Sequence, residues 1–200
     1  MLRRFSAAML TAGLFFAAPA AAQQFSDSYE FLHAVRQADG ATVTDMLTRP
    51  GPSIVNTRDA TSGDGALHIV VKRSDRTYLT FLLQNDANPD LRDRDGNTPL
   101  MLATSQNWID GVRVLVNYQA DVDLANNRGE TPLIRAVQLR NVQMVRELLE
   151  AGADPDKADL LAGMSARDYA QRDSRSPTIQ RMLDEAPKKE TSGISGPSLR

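Results

Sequence analysis

Thr98-Pro99-Leu100 returns as Thr131-Pro132-Leu133 at a distance of 33 residues, and the match extends outward from both triplets. Asp95-Gly96-Asn97 aligns with Arg128-Gly129-Glu130. Further on, Val112, Leu115, Val116, Ala120, Asp121 and Asp123 align with Val145, Leu148, Leu149, Ala153, Asp154 and Asp156. One period earlier, Leu67 takes the place of Leu100, and Leu79, Leu82, Leu83, Ala87, Asn88 and Asp90 keep the register. A fixed period of this length marks a solenoid, in which each unit is one supersecondary element that buries its apolar face only against its neighbours.

Within a unit the residues spell two helices. Thr131 suits an N-cap and Pro132 the first helical position, where the missing N–H has no intrahelical partner. Leu133, Ala136 and Val137 follow at helical spacing on one face. The small residues Ala103 and Ala136 let paired helices approach closely. Met144, Val145, Leu148 and Leu149 form a second apolar face, and Gly152 suits a left-handed helix end.

The pattern Gly-x-Thr-Pro-Leu, then Val-x-x-Leu-Leu, then Gly-Ala-Asp, running from Gly129 to Asp154, resembles the ankyrin repeat. Gly163 to Ala170 resembles a terminal unit shifted by one residue, with Ile179, Met182 and Leu183 in its second helix. Phe31, Ala34, Val35, Val43, Met46 and Leu47 read as an opening unit that lacks Thr-Pro-Leu and leaves through Pro50-Gly51-Pro52-Ser53. The fold expected from the resemblance is all-α: a solenoid of about five helix–turn–helix units joined by short β-hairpin loops, over residues 29–185. Polar residues are expected to cap it, Gln37 and Asp39 at one end and Arg172, Asp173 and Arg175 at the other.

The flanking segments read differently. Arg3-Arg4, the apolar stretch Met9 to Ala18, and Pro19-Ala20-Ala21-Ala22 follow the order of a secretory signal, so residues 1–22 are expected to be cleaved ahead of Gln23. The apolar stretch is about half of the ~20 residues that a membrane-crossing helix needs. The general secretory route is preferred over a twin-arginine route. The Ala-rich leader points to a Gram-negative periplasm, with the extracellular space second. Residues 23–28 form an N-terminal lead. Residues 186–200, with Pro187, Lys188, Lys189, Gly193, Gly196 and Pro197, lack an apolar period and are expected to be a disordered tail.

Composition narrows the chemistry. The chain has no cysteine and two histidines, which excludes disulfides, thiol catalysis and a His-rich metal site. Cleavage would remove Arg3, Arg4 and no acid, leaving 21 Lys+Arg against 25 Asp+Glu, a net charge of −4. That balance argues against a nucleic-acid partner. Asp93-Arg94-Asp95-Gly96-Asn97 superficially resembles a calcium loop, but Leu91 and Leu102 stand where a calcium-binding helix–loop–helix needs acids. His68 matches the histidine of the repeat pattern, which by resemblance locks successive turns. His33 reads as a surface residue of the opening helix. Asp86, Asp121 and Asp154 recur by period and form no catalytic cluster. Trp108, at a helix–helix junction, admits two readings, an exposed anchor for a partner or partial packing against the next unit; Tyr118 admits the same two.

The expected function is therefore non-enzymatic recognition of another protein in the periplasm by a monomer, with no cofactor, metal, nucleic acid or membrane partner after signal cleavage. An alternative is a stabilising or inhibitory accessory of one specific periplasmic enzyme. The resemblance implies a concave binding surface built from hairpin tips and first-helix faces. Its residues are Thr61, Ser62, Asp64, Lys72 and Arg73 in the second unit and Arg94, Asp95, Asn97, Ser105 and Gln106 in the third. In the fourth they are Asn127, Arg128, Glu130, Gln138 and Leu139.

Overall fold

A computed structural model describes residues 20–50, 53–173 and 175–187. Over these residues the chain forms ten helices and no strand. They come as five antiparallel pairs: α1 (Ala20–Gln37) with α2 (Gly40–Thr48), α3 (Ala66–Lys72) with α4 (Arg76–Gln84), α5 (Pro99–Ser105) with α6 (Ile109–Asn117), α7 (Pro132–Gln138) with α8 (Val142–Glu150), and α9 (Ala166–Arg172) with α10 (Pro177–Glu185). The first helices stack in the order α1, α3, α5, α7, α9, and the second helices stack from α4 through α6 and α8 to α10. This is the all-α repeat solenoid expected from the resemblance.

The leader junction expected between Ala22 and Gln23 falls in the first turn of α1, and residues 23–28 are helical. The rest of the leader, residues 1–19, and the tail residues 188–200 lie outside the described residues.

The local chemistry repeats with the architecture. Thr98 and Thr131 accept hydrogen bonds from the amides of Met101 and Ile134, with proline at the first helical position, and Ser165 does the same for Asp168. Asp39, Asp75 and Asn141 cap three of the second helices through their side chains. Between the paired helices the chain turns through a left-handed residue, Ser74, Asn107 or Arg140. The second helices close in the same way at Asp86, Gln119 and Gly152. At the last of these the amide of Ala153 donates to Leu148 and that of Gly152 to Leu149, both at 2.9 Å, which is the Schellman arrangement.

Phe31, Val35, Val43, Leu79, Leu82, Leu100, Leu115, Leu133, Met144, Leu148, Ile179 and Leu183 are buried in one continuous core that runs through all five pairs. The final unit departs from the others at one core position. Arg167 stands where Leu133 stands one unit earlier, and it is buried with its Nε on Asp156 at 2.8 Å and its Nη2 on the carbonyl of Ala186 at 2.8 Å. A guanidinium with both of these acceptors can occupy a terminal site that no further unit covers.

Candidate hairpin-tip interface

Each junction between units is a tight hairpin closed by one backbone bond: Asp59 to Asp64, Asp93 to Asn97, Asn126 to Glu130 and Asp159 to Met164, at 2.9–3.0 Å. An isolated antiparallel bridge between Arg58 and Gly65 is the extent of β structure among the described residues. The hairpins expected from the resemblance are thus present as turns, too short for a ladder.

The first residue of each hairpin folds it with its own side chain. Asp59 Oδ1 accepts from the amides of Thr61 and Ser62, Asp93 Oδ1 from Asn97, Asn126 Oδ1 from Arg128 and Glu130, and Asp159 Oδ1 from Leu161 and Ala162. The amide of Ser62, then Arg36 (Nη2 at 2.7 Å) and the amide of Thr61 lower the Asp59 carboxyl to about 2. Of these four positions the sequence drew attention only to Asp93, through its superficial likeness to a calcium loop, although Asp93, Asn126 and Asp159 recur at the repeat spacing.

Successive tips are tied backbone to backbone. The amide of Arg94 donates to Ser62, that of Asn127 to Asp95 and that of Leu160 to Arg128, at 2.9–3.0 Å. A glycine follows each acceptor. Gly129 has φ +77°, and a Cβ there would lie 2.5 Å from the Leu160 nitrogen, so both conformation and contact demand glycine. Arginines reinforce the row: Arg94 Nη2 donates to the carbonyl of Ala60 at 3.0 Å, Arg58 Nη1 to that of Arg92 at 3.1 Å, and Arg92 to that of Ala125.

The expected binding residues fall into three groups. Thr61, Arg94, Asp95, Asn127 and Arg128 are exposed at the tips. Ser62 and Asn97 are half-buried; the Ser62 carbonyl receives Arg94, and Asn97 holds Asp93 and Asn126. Lys72, Ser105, Gln106, Gln138 and Leu139 line the ends of the first helices, where Gln106 Nε2 reaches the Lys72 carbonyl at 3.5 Å and Arg135 donates to both Ser105 and Gln138. The third group is already engaged within the chain. Asp64 is 7% exposed and receives Lys72 Nζ on both oxygens at 2.7 and 2.8 Å. Glu130 is 7% exposed and is held by Asn126, Arg128 and Arg135. Arg73 reaches back to the carbonyls of Val35 and Arg36 and stacks over the Tyr78 ring at 5.4 Å. These three residues brace the face from within the chain, and Arg73 is also exposed. A buried carboxylate needs its cationic partner to offset lost hydration, so the pattern that placed Asp64 and Glu130 on the face also fastens them to it.

His68 is fully buried. Its Nδ1 accepts from the Gly65 amide at 3.1 Å, and its Nε2 donates to the Asn97 carbonyl at 2.9 Å, which links the second unit to the third. Burial pushes the imidazole below its ordinary value, against the opposing pull of the Asn97 carbonyl and of Asp64 and Asp93. His33 is exposed and stacks on Tyr29 with ring centroids 5.9 Å apart. Trp108 is half-buried: its indole covers Gly111 of its own unit, where a Cβ would come within 2.2 Å of the ring, and it lies against the core. Tyr118 also packs partly buried on the core.

On a second edge, Asp90 Oδ1 accepts from the Asp121 amide and Asp123 Oδ1 from the Asp154 amide, at 2.9 and 2.7 Å. These aspartates join successive units. Among the described residues no group of three His, Asp or Glu side chains is placed to hold a metal, and no helix is long and apolar enough to cross a membrane.

A family model described as ankyrin repeats in three copies matches residues 31–126 and 67–159. The chain is also 36% identical, over 78 residues, to an ankyrin repeat protein of fowlpox virus (strain NVSL). That stretch is 38% of this chain and 23% of the viral protein, so the chain spans about a quarter of the length of the relative it matches.

Proposed function

Because the chain belongs to the ankyrin-repeat family, we propose that it is a non-enzymatic protein–protein interaction module that acts in the periplasm through the concave face formed by its hairpin tips and first-helix ends. The observation that carries this reading is the division of labour along the tips. Backbone bonds and glycines hold the row rigid, while Thr61, Arg94, Asp95, Asn127 and Arg128 stand exposed on it. A surface ordered before binding loses little conformational entropy on contact, which favours specific recognition. The mixture of charge signs suits a polar protein surface better than a phosphate backbone.

Cross-linking in the native compartment followed by mass spectrometry tests this. Cross-links from the tips and first-helix ends to one protein support it; cross-links confined to α4, α6 and α8 contradict it.

A further inference from the structure

The fourth hairpin breaks the polar character of the row. Where the earlier tips present Thr61, Arg94-Asp95 and Asn127-Arg128, it presents Leu160 and Leu161, which are 76% and 78% exposed. This tip is also one residue longer than the two before it, since Asp159 pairs with Met164 where Asn126 pairs with Glu130. It is nonetheless fixed. The Leu160 amide is bonded to Arg128, the Asp159 carboxylate holds the amides of Leu161 and Ala162, and the Tyr169 hydroxyl donates to Asp159 at 2.6 Å. Two adjacent leucines held rigidly in water, in line with a proposed binding row, have the form of an interface anchor.

The row that ends at them carries one more cation than acid, although the whole chain carries −2. Arg58, Arg92 and Arg94 bond backbone carbonyls of neighbouring tips, which leaves their charge unneutralised. Arg128 and Arg135 share the single carboxylate of Glu130. Against these five cations the same row sets Asp93, Asp95, Glu130 and Asp159. Asp59 and Asp64 are matched separately by Arg36 and Lys72.

We propose, resting on the function given above, that Leu160 and Leu161 are the apolar anchor of the row and that its partner is an extended acidic–apolar polypeptide segment. Carboxylates of that segment face Arg94 and Arg128, and bulky apolar side chains cover the leucines. Neighbouring helices pack about 8–10 Å apart, so Arg94 and Leu160, two units apart, are separated by about 16–20 Å. An extended chain rises about 3.3 Å per residue; the acidic and apolar parts of the partner segment therefore lie about five or six residues apart.

A random dodecapeptide display library selected on the purified chain tests this. The enriched peptides should carry Asp or Glu in one half and Leu, Ile, Phe or Met in the other. Their affinity should fall about ten-fold or more in Leu160→Ser/Leu161→Ser, and several-fold, with loss of salt dependence, in Arg94→Ala/Arg128→Ala. Both variants should keep the helical circular dichroism spectrum. Leu161→Asn, which leaves Leu160 resting on Gly129, replaces the double variant if that one fails to fold.

Peptides lost with the arginines but indifferent to the leucines would overturn the anchor and leave the proposed function standing. Peptides lost only with Arg146→Ala/Glu150→Ala would overturn both. Basic peptides, or no enrichment, would overturn the acidic–apolar partner. Leucine-dependent sedimentation with phosphatidylglycerol vesicles in place of peptide binding would assign the tip to a membrane and overturn the proposal.

Discussion

The amide of Leu160 donates to the carbonyl of Arg128 at 2.9 Å, so the tip of the last unit hangs from the tip of the one before it. Gly129 permits this approach because a side chain at its φ of +77° would meet the Leu160 backbone. Gly152 has φ +88°, but a methyl group there would meet nothing within 4 Å, so it isolates the conformational part of the same demand.

The two glycines should therefore respond differently to alanine. Gly152→Ala is expected to cost about 1–2 kcal/mol, the strain of a left-handed alanine. Gly129→Ala adds displacement of the next tip and should cost more, with faster amide exchange at Leu160. Equal melting temperatures for the two variants would contradict the stacking role.

Leu148 is fully buried in α8, at the position Leu115 holds in α6. Leu148→Ala should cost about 2–5 kcal/mol through the cavity it leaves, and stacked units should transmit part of that loss to α6 and α10. Hydrogen exchange resolved by helix measures both effects. Unchanged protection in α8 would contradict the register.

His68 gives a pH dependence with a definite sign. Its folded value lies below the ordinary 6.5, so the unfolded chain takes up the proton first as pH falls. The stability contributed by the neutral, buried ring is complete above about pH 6.5 and declines as pH drops from there toward the folded value. His68→Gln should be less stable by about 1–3 kcal/mol at pH 8, having lost matched buried hydrogen bonds. Its melting temperature should fall less than that of the unmodified chain between pH 7 and 5.5. Parallel profiles would exclude His68 as the source.

Export predicts a new N-terminus at Gln23. N-terminal sequencing of the protein from the periplasmic fraction should begin Gln23-Gln24-Phe25; Met1 on that form would contradict cleavage, and retention in the cytoplasm would contradict the proposed compartment.

The period alone made most of the fold legible. Leu82, Leu115 and Leu148 are core residues because helical spacing and a 33-residue register each demand it, Phe31, Val43 and Leu183 in the outer units are legible from helical spacing alone, and Gly152 ends its helix as expected. The candidate face was less legible. Position in a repeat tells where a residue's backbone lies, but not whether its side chain is turned outward. Asp64 and Glu130 occupy face positions and are nonetheless turned into ion pairs with Lys72, Arg128 and Arg135, partners set by a fold-level juxtaposition. Leu160 and Leu161 drew no reading from the sequence, because their apolar character carries no sign of the lengthened hairpin that holds them in solvent.

The most direct measurement of the central claim is the affinity of the cross-linked native partner for Arg94→Ala/Arg128→Ala beside Glu150→Ala. Arg94 bonds one exposed carbonyl, and Glu130 keeps Asn126 and Arg135 when Arg128 is removed, so each loss should cost stability by about 1 kcal/mol or less. Glu150 is exposed on α8, whose neighbours in the stack are the second helices rather than the tips. Binding at the tips predicts that the double arginine variant melts near the unmodified chain and captures the partner at least several-fold more weakly, while Glu150→Ala binds normally. Normal capture by the arginine variant together with failure of Glu150→Ala would contradict it and move the interface to the second-helix side.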